Sequence, residues 1–345
     1  MDLKLKASRL AKRRQQLQSL SITRPTCEMP EPNWEEHQQL SPSRESIPTS
    51  VQRNLQLSKS LGPVLDLEGL LNQRSRKHRD HTRKPGMRQS LQLIYKYRAR
   101  SRHELYDKCT SDEWASLIYA GDNYVNNINI SLELFIKDNL ELQRKNRWEW
   151  FISYQKYLPD EELELLNLFN AQGIDLCDFS LSVYKLFNEC DMKKNAIKLW
   201  GTPNTGKTLI GRLLCDLFIC CYANNHGSEL EFYFSNFLSK SIILCEELFA
   251  TPATAEDLKS ILGGKCVDIS KKYQEKQALI RTPIVITSNY DKFGRGFLPP
   301  IDEEALNNRC YVYHFTKHYS PRVTITAPAL AHLLYTYLDI DFNML

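Results

Sequence analysis

Between Gly201 and Thr208 the chain reads Gly-Thr-Pro-Asn-Thr-Gly-Lys-Thr, which satisfies G-x-x-x-x-G-K-[ST] at every fixed position. The flanks suit that motif. Asn195 to Trp200 reads as a short strand, and Leu209 to Cys221 as a helix with apolar residues at Leu209, Ile210, Leu213, Leu214, Leu217 and Phe218. A strand, a glycine loop and a helix together make a phosphate cradle. The glycines let backbone N–H groups wrap the anion, and the helix N-terminus adds its positive end. The whole loop, Gly201, Thr202, Pro203, Asn204, Thr205, Gly206, Lys207 and Thr208, is the expected nucleotide site. In it Lys207 reaches the β- and γ-phosphates of ATP and the Thr208 hydroxyl sits on Mg²⁺. This feature commits the surrounding chain to an α/β layered fold.

With 345 residues the chain has room for two domains, or one domain and a long tail. Its 42% hydrophobic and 25% charged residues are those of a soluble globular protein. No apolar run approaches the roughly 18 residues of a membrane span, so no membrane partner is expected. Met1-Asp2-Leu3-Lys4-Leu5-Lys6 runs into charge, so no secretory signal is expected. The 10 cysteines include no C-x-x-C pair and read as reduced thiols of an intracellular protein. The net charge of +4 is unevenly placed. Lys4, Lys6, Arg9, Lys12, Arg13 and Arg14 form one basic cluster, and Arg74 to Arg102 a second. Such runs serve as nuclear-import signals or nucleic-acid patches, or stay solvated with neither role.

Three segments follow. Residues 1–90, rich in Ser, Gln, Pro, Glu and Arg, read as a disordered basic region with at most a short helix over Leu65 to Leu71. Residues 91–193 carry apolar residues at helical spacing and form a helical region. From 194 to 345 strands and helices alternate. Apolar β runs fall at Ile197 to Trp200, Glu231 to Phe234, Ser241 to Glu246, Pro283 to Ser288 and Cys310 to Phe315. Alternation of this kind predicts a mainly parallel sheet between helical layers, with ligands at the carboxyl ends of its strands.

The chemistry falls at those ends. The strand Ser241 to Cys245 runs into Glu246-Glu247. One acid organises the metal and the other polarises the attacking water. Glu246 is assigned to the metal and Glu247 to the water, with the reverse order open. Thr282 to Ser288 ends at Asn289, which can hydrogen-bond the attacking water or the γ-phosphate without adding charge. Arg309 precedes the last strand, where an arginine can reach a nucleotide held by a neighbouring subunit. Ile261 to Lys276 reads as a β-hairpin that presents Lys271, Lys272 and Lys276 to a phosphate backbone.

In this order and spacing the motifs resemble the superfamily 3 helicases of small DNA viruses, above all the ATPase domain of parvovirus non-structural replication proteins. The resemblance covers about Asn167 to Thr316. It rests on the phosphate loop, the two acids, Ile261-Leu262-Gly263-Gly264 with Lys272, Thr282 to Asn289, and Arg309. It implies a three-layer AAA-type P-loop ATPase that uses ATP and Mg²⁺ and assembles as a homo-oligomeric ring, usually hexameric. Residues 91–193 would serve oligomerisation. The implied activity is a 3′-to-5′ DNA helicase of viral genome replication, acting on single-stranded and viral DNA. The basic runs together with that replication reading lead to the expectation of the host nucleus. Thr202-Pro203 and Gln274 depart from the family pattern. His78-Arg79-Asp80-His81 lacks the apolar flanks of the paired-histidine metal site of a nicking nuclease. A chain without that nuclease would be truncated, spliced, divergent or host-domesticated. The alternative reading is a regulatory or scaffolding nucleic-acid-binding protein that retains the ATPase fold.

Overall fold

A computed structural model describes residues 66–343 apart from Arg83, Asp122, 225–229 and Lys272-Tyr273. The basic cluster at Lys4 to Arg14 and the hairpin residue Lys272 lie outside the described residues.

The first helix, α1, spans Leu67–His81, well beyond the short helix expected there, and α2 spans Pro85–Tyr97. Order therefore begins before residue 90. Local polarity hides the tertiary partners responsible. The Asp66 carboxylate accepts from Gly69 N at 2.8 Å and caps α1. Farther along, Arg74 and His78 pair with Asp138 at 3.4 and 2.9 Å, and Leu71 is buried. Arg74, one of the second basic cluster, also pairs with Glu141 at 3.1 Å. α3 (Arg102–Lys108), α4 (Ser111–Tyr119) and α5 (Tyr124–Lys145) complete this group. Their shared core includes Leu91, Ile94, Leu105, Leu117, Ile128 and Phe135.

α6 (Arg147–Ser153), α7 (Pro159–Gln172) and α8 (Leu176–Phe187) lead into the sheet. The strands are β1 (Ala196–Gly201), β2 (Cys220–Asn224), β3 (Ile242–Glu246), β6 (Ile284–Ser288) and β7 (Cys310–Phe315), ordered β2-β3-β6-β1-β7 and all parallel. Alternate residues face opposite layers. Ile197, Leu199, Ile242 and Leu244 join a core with α6 to α8, α9 (Lys207–Cys215) and α12 (Ala327–Asn343). Ala196, Ile243, Cys245 and Ile286 face the other way, toward α10 (Ala255–Leu262), α11 (Pro300–Asn307) and the base of a hairpin. That hairpin pairs β4 (Val267–Lys271) with β5 (Gln274–Leu279). Both faces of the inner strands β3 and β6 are covered, which is why these read as apolar runs.

Two sequence expectations are corrected here. The helix expected to reach Cys221 stops at Cys215, and Cys220–Asn224 is the edge strand β2. Phe218 drops into the core against Phe151 and Phe187, turning the chain so that Cys220 aligns with Ile242. The run Glu231 to Phe234, expected as a strand, belongs to a 3₁₀ helix over Leu230–Phe237. Three residues per turn put Phe234 and Phe237 on one face, both buried, with ring centroids 5.4 Å apart. Among the described residues no helix is long and apolar enough to cross a membrane.

Candidate nucleotide site

The loop between β1 and α9 depends on three left-handed residues: Gly201 at φ 140°, Asn204 at 58° and Gly206 at 92°. At Gly201 a Cβ would come within 1.8 Å of the Phe315 carbonyl oxygen, so only glycine fits beside β7. The loop is braced on both sides. Thr202 Oγ1 donates to Thr316 O at 3.0 Å, and Tyr319 N donates to Asn204 O at 2.9 Å. Gln172, at the end of α7, donates from Nε2 to Thr205 O (3.2 Å) and Lys317 O (2.6 Å). Its Oε1 accepts from Thr316 N and Lys317 N. Gln172 thus ties the loop to the exit of β7. Sequence reasoning missed this residue, because nothing local distinguishes a helical glutamine whose partners lie 33 and 145 positions away.

Pro203, Asn204, Thr205, Gly206, Lys207 and Thr208 line a pocket of about 260 Å³. Across from them lie Glu247, Thr287, Ser288 and Asn289. Parallel pairing explains the meeting. β1, β3 and β6 are adjacent and in register, so their carboxyl ends open on one side of the sheet. Lys207 is buried and folded back: its Nζ donates to Gly201 O at 2.9 Å, Thr202 O at 2.5 Å and Thr205 Oγ1 at 3.3 Å. Burial pushes its ammonium below the usual lysine range, and the nearby charge of Glu247 works against that. Thr208 is exposed at the mouth.

The two acids part company. Glu246 continues the alternation of Ile242 and Leu244, so it lies on the α9 face, where Arg212 approaches it at 3.4 Å. Glu247 leaves the strand in a left-handed turn with φ 55° and reaches the pocket. Its Oε1 accepts from Asn289 N at 2.9 Å, and its Oε2 lies 3.6 Å from Arg295. Arg295 was also missed by sequence reasoning. The Thr208 hydroxyl and the Glu247 carboxylate are hard oxygen donors lining the pocket and suit Mg²⁺ completed by phosphate oxygens and water, whereas Glu246, the acid expected to hold the metal, does not line it and faces Arg212.

Not every expected residue is at the pocket. Arg309 is half-buried at the foot of β7, where it donates to the Ala305 carbonyl and lies against Gly263. Lys271 closes β4, and Lys276 is exposed on β5, so the hairpin is a structure apart from the pocket. The histidine pair is also elsewhere. His78 is engaged with Asp138, 2.9 Å away on α5.

A family profile described as parvovirus non-structural protein NS1 matches residues 135–334. The initiator protein NS1 of human parvovirus B19 is 24% identical over 179 residues, 51% of this chain and 26% of that protein. The initiator protein NS1 of bovine parvovirus 1 is 26% identical over 129 residues, 37% of this chain and 15% of that protein. The chain thus spans about a quarter or less of the length of these relatives. Among solved structures, JCV helicase superposes on 85% of this chain and 87% of its own at a TM-score of 0.43 and 12% identity. The family profile covers more than half of the chain and contains the phosphate loop, both acids, Asn289 and Arg309, so this protein belongs to the parvovirus non-structural protein NS1 family.

Proposed function

We propose that the chain is an ATP-driven DNA helicase motor of viral genome replication, hydrolysing ATP at the subunit interfaces of a homo-oligomeric ring. One observation carries this reading. In a member of the NS1 family, the phosphate loop, Glu247 and Asn289 line a single pocket of about 260 Å³. ATP enters with its phosphates against the loop. Lys207 exchanges the carbonyls of Gly201 and Thr202 for the β- and γ-phosphates, whose charge keeps it protonated. Thr208 and Glu246 would hold Mg²⁺, which would supply positive charge against the charge developing on the phosphates. Glu247 takes a proton from the attacking water, and Asn289 orients that water. Arg309 lies outside its own chain's pocket, as a finger offered to the neighbouring subunit would. Lys271, Lys272 and Lys276 of the hairpin contact the DNA backbone. The 3′-to-5′ polarity, a hexameric ring and action in the host nucleus complete the reading, and they rest on the family resemblance and the basic clusters.

The test is ATP hydrolysis by the purified chain with and without single-stranded DNA. DNA-stimulated turnover that is lost in Lys207→Ala is expected. A folded, nucleotide-binding chain without turnover would instead favour the regulatory or scaffolding role.

A further inference from the structure

The loop between β6 and α11 holds a cation that the motifs do not account for. Arg295 stands between Gly294 and Gly296 in a left-handed conformation, φ 49°. Its guanidinium lies over the Tyr290 ring at 4.1 Å and the Phe249 ring at 5.2 Å. From there Nη2 approaches Glu247 Oε2 at 3.6 Å and the Glu247 carbonyl at 3.5 Å. An ordinary surface ion pair is free to rearrange and contributes little. This one is held. Two aromatic faces bracket the guanidinium, and the Glu303 carboxylate, itself buried, accepts from Phe293 N at 2.8 Å and Gly294 N at 2.6 Å.

On the other side of the pair, Glu247 has an unusual backbone. A non-glycine residue at φ 55° is strained and persists only where its surroundings fix it. Glu247 N donates to Thr287 O at 2.8 Å, and Asn289 N holds Oε1. That leaves the second oxygen, which Arg295 faces together with Ser288 Oγ at 3.5 Å. With both oxygens occupied the carboxylate plane is set, and Oε1 stays turned toward Asn289 and the pocket. Other charges near this carboxylate are Lys207 from α9 and Glu246, which is itself paired with Arg212.

We infer that Arg295 is a positioning residue for nucleotide hydrolysis, acting through Glu247 to aim its carboxylate at the attacking water. This rests on the ATPase reading above. Arg295 does not line the pocket, so it sets the rate of the chemical step and not the binding of nucleotide. Misplacing a reacting group by about 1 Å can cost about a hundredfold in rate.

The experiment compares the wild-type chain with Arg295→Gln, Arg295→Lys and Lys207→Ala under identical assembly conditions. It measures steady-state ATP hydrolysis, binding of a fluorescent ATP analogue, and Tm. Arg295→Gln keeps a polar chain against the two rings and removes the charge. It is expected to lower kcat about tenfold or more, with KM and analogue binding within about twofold and Tm unchanged. Arg295→Lys, which restores a cation, is expected to recover most of the lost kcat. Wild-type kcat in Arg295→Gln overturns the proposal. So does an equal loss in Gln and Lys, or a loss of kcat that tracks losses of binding and Tm. Absence of turnover in the wild-type chain itself overturns the ATPase reading and this proposal with it, whereas wild-type turnover abolished by Lys207→Ala and untouched by Arg295→Gln overturns the proposal alone.

Discussion

A single hydrogen atom in place of a side chain decides whether the phosphate loop can form. Gly201 lies against the Phe315 carbonyl with φ 140°, and a methyl group there meets both steric and backbone penalties. Gly201→Ala is expected to destabilise the fold by about 3 kcal/mol or more, read as a drop in denaturant midpoint. Gly173 is the control: it ends α7 at φ 66° with open space where a Cβ would go. Gly173→Ala should therefore cost only about 1 kcal/mol. At Lys207 the expectation is different in kind. Lys207→Ala removes an ammonium that is already inside the pocket, so nucleotide turnover should vanish while the chain stays folded. Such differences between residues of one motif follow from what each touches, and only part of that is written in the motif.

Among the helices, α4 shows how local sequence and a distant partner combine. Thr110 and Glu113 form a reciprocal capping box at its start, a pattern visible in the sequence. The further partners of Glu113 come from α2: Lys96 Nζ at 2.7 Å and Tyr97 OH at 2.6 Å. The Lys96 ammonium above all, then the Tyr97 hydroxyl and the Thr110 N–H, hold the Glu113 carboxyl down at about 2. A carboxylate with a depressed pKa stabilises the fold above its unfolded value, and that contribution is lost as pH falls through the folded one. Glu113→Gln should therefore lower Tm at neutral pH, and the gap to wild type should close between pH 4.5 and about 2. The hairpin is tested through DNA. Lys276 is exposed on β5, and Lys276→Ala is expected to weaken single-stranded DNA binding and reduce the slope of log K against log salt by about 1. An unchanged slope would remove Lys276 from the DNA path.

For the assembled molecule the sharpest expectation concerns Arg309, which its own chain keeps away from its own pocket. Lys207→Ala and Arg309→Ala should each lack turnover. Randomly mixed rings of the two should regain about a quarter of wild-type activity, because one interface in four then joins an intact loop to an intact finger. No recovery on mixing would place Arg309 in cis or outside catalysis. By itself the sequence determined the phosphate loop, the parallel αβ alternation and the acid and asparagine strand ends. These are local signals: fixed residues at fixed spacing, and apolar runs whose length matches buried strands. Only tertiary structure decided that Glu247 enters the pocket while Glu246 stays on the α9 face, that Gln172 braces the loop, and that Cys220–Asn224 is a strand. It also decided that the polar stretch over Leu67–His81 is ordered. Each of those outcomes depends on a partner far along the chain: Asn289 for Glu247, Lys317 for Gln172, β3 for β2 and Asp138 for His78. Periodicity and propensity report what a segment does with its neighbours in sequence, and they carry no record of what the fold later brings beside it.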